Sequence, residues 1–500
     1  MSQIAITTAR SLGTIDRKLF GGFVEHLGHC VYGGLQEEGS PLSDQRGFRS
    51  DVLGLLRDLR LGVLRWPGGT FVSNYHWQDG IGPKDARPRR PELAWGGEEP
   101  NRFGTDEFHA NCAELGPEPD SVAPYICLNM GTGTLAEALA WIEYCNSARN
   151  TYWAGRRRQN GRDEPYRVRY WALGNEMYGE WQVGQLSAEE YVREATRWAR
   201  AIRMLDPDAK LVGCGETGWT EWDRVVIDGL AGLVDYHSVH LYTGSDDYWA
   251  NVLAPHQAQR AISAAAALLD RAAYLRGLDR TAAIAYDEWN VWYRTMTVDL
   301  AERYTHADAL AVATYLNIFI RNCARVRMAN LAQLVNAIAP VVATPDAAAV
   351  QPIYYPFLLH ARAALDLAVD THVDGGLVPP DASRWRPEAS RWPHRVADLG
   401  PFTLVDAAAS VSADRRLLAV TLVNRGLDAE PARLVLRDAA FDGAAAITTL
   451  TAGGDGDARP MPDVQAAHLA AGSEPAHGPV LGLTLPPQSF SVIEVPVTPS

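Results

Sequence analysis

The chain has 500 residues, 47% hydrophobic and 21% charged, with a formal net charge of −14 at pH 7. That length accommodates one large domain and a smaller companion. The acidic balance excludes nucleic acid or an anionic membrane as the main partner, because both demand a basic stripe; a neutral substrate fits better. Fifteen Trp and nineteen Tyr supply flat apolar faces with polar edges, a surface suited to sugar rings.

The opening residues, MSQIAITTAR, lack a basic stretch followed by an apolar one, so the expectation is a chain without a secretory leader that works in the cytoplasm. No run approaches eighteen apolar residues, so no transmembrane helix is expected. Cys30, Cys112, Cys127, Cys145, Cys214 and Cys323 are scattered without C-x-x-C spacing. That pattern predicts buried free thiols in a reducing compartment, not a disulfide frame or a zinc site.

In chain order, residues 1–14 read as a strand that precedes the main domain and joins the C-terminal one. Eight short apolar runs follow: 19–25, 61–69, 123–130, 168–175, 209–215, 234–242, 282–289 and 326–335. Helical patterns separate them. From Ser187 to Leu205, for example, Ser187 and Glu190 form a capping box, Tyr191, Ala195, Trp198 and Ile202 share one face, and Asp206-Pro207 ends the pattern. Eight strand and helix pairs predict a (β/α)8 TIM barrel over residues 15–360. From 361 to 500 the pattern becomes short alternating strands with Gly, Pro and Asp between them, the signature of a C-terminal antiparallel β-sandwich, jelly-roll-like. Residues 370–400, with Pro379-Pro380 and two copies of Ser-Arg-Trp, read as a loop or linker that serves an interface or a lid.

Barrel enzymes gather their chemistry at the carboxyl ends of the strands, which reduces sixty acidic residues to Glu25, Glu176, Glu216 and Glu288. Asp287 adjoins Glu288, but neighbours on a strand face opposite ways. With Tyr286 and Glu288 inward, Asp287 is expected to point toward the helices. Two carboxyls at a barrel mouth wrapped in aromatics are what glycosidic cleavage needs, one to protonate the leaving oxygen and one to attack or to activate water. Glu176, flanked by Met177 and Tyr178 and followed by Trp181, suits the acid, since desolvation raises a carboxyl pKa.

Two other patterns compete. Gly213 to Gly218 matches G-x-G-x-x-G and Gly131 to Ala136 its G/A variant, but a dinucleotide fold wants one such turn in its first βαβ unit and an acidic residue about twenty positions on at the end of the next strand, and Asp235, near that distance from the first pattern, opens a strand instead. His26 and His29 have metal-ligand character without a third ligand at clear spacing, so they are expected to bond neighbouring loops. No cofactor and no metal are expected. The rival readings are an inactive sugar-binding barrel, against which both glutamates weigh, and a nicotinamide-dependent oxidoreductase resting on Gly213 to Gly218.

The stretches GGFVEHLGHCVYGG, RWPGGTFVSNYHWQDGIGP, EPNRFGTDEF, YWALGNEMYGEWQ, YDEWNVWY, MANLAQLVNAIAP and QPIYYPF run in order through nearly the whole barrel. On them the sequence resembles the glycoside hydrolase family 51 α-L-arabinofuranosidases. The resemblance implies a retaining exo-hydrolase of terminal arabinofuranosyl units on oligosaccharides, with Glu176 as acid/base and Glu288 as nucleophile. By the same matching, Asn175 meets the sugar 2-hydroxyl, Tyr242 orients Glu288, and Glu25, Asn74 or its neighbourhood, Trp292 and Gln351 line the pocket. It also implies a homo-oligomer, commonly a hexamer. Thr70 stands where many relatives carry Asn or Cys, which opens tolerance of β-D-galactofuranosides as an alternative.

Overall fold

The structure, a computed structural model, describes every residue except 117, 119–120, 294–299, 380–397, 455–460, 462–463 and 500. Eight parallel strands close a barrel: β1 (Gly21–Phe23), β2 (Val63–Trp66), β3 (Ala123–Leu128), β4 (Tyr170–Leu173), β5 (Lys210–Gly213), β6 (Tyr236–Thr243), β7 (Ala283–Val291) and β8 (Val326–Ala332). They lie in sequence order around the ring, with β8 pairing back onto β1. Each coincides with one of the eight apolar runs of the sequence, β6 and β7 extending one and two residues past theirs, because strands covered by helices outside and side chains inside must be apolar on both faces.

The helix Ala188–Leu205 has the capping box read from Ser187 and Glu190, and buries Tyr191, Ala195, Trp198 and Ile202. Its Tyr191 hydroxyl donates to the Leu173 carbonyl and accepts from the Cys214 N–H, so one helix side chain fixes the ends of β4 and β5. The helix His306–Arg321 is buried nearly all round. It packs against β7 through Tyr315 and Phe319 and, through Ala309, Leu310 and Ala313, shares a cluster with Ala419, Phe490 and Val492 of the C-terminal sheet. A helix between two apolar surfaces has no polar face to present.

That second unit is a nine-stranded, mostly antiparallel sheet. The N-terminal strand Ser2–Thr14 sits within it, antiparallel to Leu367–Asp374 and parallel to Glu430–Leu436. Ile4, Ile6, Val420, Leu434, Phe441, Leu481 and Ile493 come from six strands yet form one buried core, so the sheet folds over on itself as a sandwich does. All six cysteines are free and buried. Among the described residues no helix is long and apolar enough to cross a membrane. The Ser-Arg-Trp copies at 383–385 and 390–392 lie outside the described residues.

Candidate active site

The carboxyl ends of the barrel strands surround a cavity of about 570 Å3. Glu176 and Glu288 face each other across it: one oxygen of each, together with one ring nitrogen of His240, lie within 4.8 Å of one another. Local geometry brings Glu176 there. Gly174 and Glu176 both take left-handed backbone, φ +76° and +44°, and a side chain at Gly174 would meet Met177 Cγ at 2.9 Å. Such a conformation in a non-glycine residue is costly and concentrates at functional sites. The Glu176 carboxylate accepts from His240 Nδ1 at 2.9 Å on Oε1 and from Trp181 Nε1 at 3.1 Å on Oε2.

Glu288 is held on both oxygens, by an Arg65 guanidinium N–H at 2.6 Å on Oε1 and the Tyr242 hydroxyl at 2.8 Å on Oε2. A second guanidinium N–H donates to Asn175 Oδ1 at 2.6 Å. This orients the Asn175 amide so that its Nδ2, buried and without a hydrogen-bond partner among the described residues, remains the donor for a ligand.

Strand β7 departs from simple alternation. Against β8, Tyr286 pairs with Ala329 but Trp289 with Leu331; against β6, Ala285 pairs with Ser238 but Glu288 with His240. In both ladders β7 carries one extra residue, a β-bulge. The expectation that Tyr286 points inward and Asp287 toward the helices is therefore corrected. Tyr286 packs on Phe319 at 4.9 Å between centroids. Asp287 faces in, accepting from the Tyr125 and Ser238 hydroxyls, each at 2.7 Å.

Electrostatics follow from this crowding. Burial pushes the His240 ring toward neutrality, but Glu288, Asp287 and Glu176 outweigh it and push the pKa up to about 10. Burial likewise raises Glu176, and the hydrogen bond from charged His240 reverses the sign, leaving the carboxyl below its usual value. Desolvation alone, the basis of the sequence expectation, leaves out this partner, which favours the carboxylate form of Glu176. Asp287 is depressed too, its burial outweighed by Arg65 and His240. The Glu176, His240 and Glu288 atoms lie at metal-ligand spacing, and the hydrogen bond between His240 and Glu176 gives the same set a path for proton transfer.

At the closed end of the cavity, Glu25 accepts from the Phe71 N–H and Trp95 Nε1 on Oε1 and from Gln333 Nε2 on Oε2. Burial pushes its pKa up to about 7. Thr70 lines the same end, its Oγ1 accepting from Gln182 Nε2 at 3.3 Å. Trp292 lines the wall, edge-on to Tyr242 at 5.3 Å between centroids.

Two residues expected in the lining are elsewhere. Asn74 donates to the Pro91 carbonyl at 3.4 Å outside the cavity, because it ends a 3-10 turn, Thr70–Asn74, that carries it past the mouth. Gln351 is fully buried behind the wall, bonding the Tyr304 N–H and the Glu302 and Ala339 carbonyls; its polar atoms are taken up in bracing loops. Glu216 accepts from Thr220 and lies off the cavity.

Arg65, His240, Trp95 and Gln333 were not singled out from sequence. Arg65 left a signal: a charge in the middle of the apolar run 61–69 must find a buried partner. His240 left a weaker one, sharing a strand face with Tyr242 two positions on.

The two glycine patterns are accounted for locally. The N–H groups of Glu216, Gly218 and Thr220 donate to the Asp223 carboxylate, and those of Gly131 and Thr132 to Asn129 Oδ1. Neither loop offers its donors to a phosphate.

Paired carboxylates at the mouth of a closed barrel, with a cation and a tyrosine on one and an imidazole on the other, define a glycoside hydrolase of the barrel type. Comparisons with known proteins resolve the class further. Residues 55–260 match the α-L-arabinofuranosidase 1 domain and 287–466 the α-L-arabinofuranosidase C-terminal domain. A probable α-L-arabinofuranosidase C of Aspergillus clavatus is 43% identical over 472 residues, 90% of this chain and 89% of the relative. An intracellular exo-α-(1→5)-L-arabinofuranosidase of Streptomyces lividans is 36% identical over 448 residues, 85% of this chain and 64% of the relative. The arabinose complex of the Thermotoga maritima α-L-arabinofuranosidase superposes with a TM-score of 0.87 at 40% identity, over 99% of this chain and 100% of that one. The chain belongs to the α-L-arabinofuranosidases of glycoside hydrolase family 51.

Proposed function

We propose that the protein is a retaining exo-α-L-arabinofuranosidase that removes terminal non-reducing arabinofuranosyl units from oligosaccharides. The observation that carries this reading is that an oxygen of Glu176 and an oxygen of Glu288 lie within 4.8 Å of each other, the close approach that a shared anomeric carbon needs. Carboxyls about 5–5.5 Å apart suit double displacement, whereas inversion needs roughly 6.5–9.5 Å to admit a water.

Glu288, its charge held by Arg65 and its second oxygen steered by Tyr242, bonds to the anomeric carbon as Glu176 passes a proton to the departing oxygen. Before that transfer the proton resides on His240 Nδ1, one hydrogen bond from Glu176 Oε1. In the second half, Glu176 takes a proton from water, the hydroxide oxygen attacks the same carbon, and Glu288 leaves. Asn175 Nδ2 supplies a donor to the sugar 2-hydroxyl, a contact that strengthens as positive charge develops on the ring. Neither half requires a cofactor. Proton NMR during hydrolysis tests the reading: the first-formed arabinose is expected to be the α anomer, and the β anomer overturns it.

Tolerance of β-D-galactofuranosides is a second reading, favoured by Thr70. Its hydroxyl is drawn to Gln182, and it differs in reach from the Asn or Cys that many relatives carry at that place. A cytoplasmic setting is supported by six buried free thiols and by the Streptomyces relative being called intracellular. A homo-oligomer, with a hexamer as the expected form, follows from the family resemblance and is read by light scattering on the purified protein.

A further inference from the structure

Glu25 and His26 are consecutive, and while Glu25 lines the cavity, His26 stacks on Phe71 at 4.5 Å between centroids. Both reach the same excursion of chain, the hairpin in which Arg90–Pro91 pairs with Glu98–Glu99. At its tip, Glu92 accepts the Ala94 and Trp95 N–H groups and Gly96 and Gly97 take φ +86° and +94°. This turn presents Trp95 to Glu25 at 3.1 Å.

At its base, His26 Nδ1 lies 2.8 Å from Glu99 Oε2, with both residues buried. The ring's tautomer follows from its other partner. Trp66 Nε1 is 3.0 Å from His26 Nε2, and an indole N–H only donates, so Nε2 accepts and the proton on Nδ1 faces Glu99. The other Glu99 oxygen receives the Tyr32 hydroxyl and the Asn101 N–H. A buried carboxylate with three donors is a firm anchor. The hairpin's remaining ties are weaker: the exposed Arg89–Glu98 pair, the Arg90–Asp79 pair and the long Asn74 bond.

We infer that His26 and Glu99 are positioning residues for sugar binding: their buried hydrogen bond pins the base of the 90–99 hairpin, so that Trp95 at its tip stays on Glu25. The inference rests on the cavity being the sugar pocket. It assigns to His26 a task at the pocket although its ring faces away from it. Losing the pin frees the tip, weakens ground-state and transition-state binding alike, and leaves Glu176 and Glu288 in place, so KM responds and kcat does not.

The test pairs two substitutions that split the imidazole's functions. His26→Asn keeps a donor near the ring Nδ1 position, and His26→Gln places its amide near Nε2 and loses the donor to Glu99. On p-nitrophenyl α-L-arabinofuranoside, His26→Gln is expected to raise KM on the order of tenfold with kcat within about twofold, and His26→Asn to stay within about twofold in both. In a Trp95→Phe background, His26→Gln should add less than about twofold, since the tip has already lost its hold. Amide hydrogen exchange over residues 92–97 should speed in His26→Gln and not in His26→Asn, whatever substrate the pocket takes. Tyr32→Phe, which strips a donor from Glu99, carries the same expectations should His26→Gln fail to fold. Unchanged exchange in the tip, or independent multiplication of the His26 and Trp95 effects, overturns the inference. A wild-type protein inert toward the arabinofuranoside but showing the exchange difference overturns only the assigned substrate.

Discussion

His240 Nδ1 stands 2.9 Å from Glu176 Oε1, and the same ring lies 3.6 Å from Glu288 Oε2 and 3.3 Å from Asp287 Oδ1. Facing also Arg65 across the carboxylates and Tyr242 on its own strand, the ring keeps its proton to about pH 10, whereas an unfolded histidine releases it near about 6.5. A folded pKa raised above the unfolded one contributes stability that is complete below about pH 6.5 and is lost as pH rises toward 10. The wild-type melting temperature should therefore fall from pH 7 to 10 by more than that of His240→Asn, which carries no such charge. Scanning calorimetry of the two across that range reads the difference, and parallel curves would remove the proton from His240.

The roles of the two glutamates separate by leaving group. Glu288→Ala should abolish turnover of every substrate. Glu176→Ala should slow arabino-oligosaccharides by about 10²–10⁴-fold and p-nitrophenyl arabinofuranoside far less, because an activated phenol departs without a proton. Steady-state rates on both substrates decide it, and equal losses would count against Glu176 as the acid.

Gly69 is where backbone runs closest to the chemistry. A β-carbon there would lie 3.2 Å from both Glu25 Oε2 and Glu288 Oε1, and 3.5 Å from Asn175 Nδ2. Gly69→Ala should lose most of its kcat/KM, the methyl occupying sugar space beside Glu25, Glu288 and Asn175. Full activity in the variant would mean that the sugar sits elsewhere.

Glu25 titrates near neutrality, its pKa pushed up to about 7 by burial. Because this carboxyl is raised in the fold, the unfolded chain ionises first, at about 4.3, and stability falls as pH climbs from there to about 7, levelling beyond. The melting temperature of wild type minus that of Glu25→Gln should shrink over pH 4.5 to 7 and then stay constant. A difference independent of pH would place the titration on another group.

Thr70 bears on sugar selectivity. Wild type should turn over p-nitrophenyl β-D-galactofuranoside measurably beside the arabinofuranoside, and Thr70→Asn should shift the ratio of kcat/KM values toward arabinofuranoside by about tenfold, the range a modest change of pocket shape commands. No galactofuranoside turnover by wild type would discard the broader specificity.

The amino-acid sequence by itself determined the eight barrel strands and the helix caps, which rest on local patterns of apolar runs and capping boxes, and a short list of four glutamates at run ends, from which the family resemblance picked Glu176 and Glu288. Tertiary structure alone decided which way Asp287 turns, because a bulge is a mismatch between neighbouring strands and leaves no mark on either one. It likewise decided that Asn74 and Gln351 brace loops outside the cavity, and that His240 stands between Glu176, just past β4, and Asp287 and Glu288 on β7. The charge on Glu176 depends on that meeting. Coulombic coupling acts through space between residues dozens of positions apart, so the protonation of the site belongs to the folded barrel.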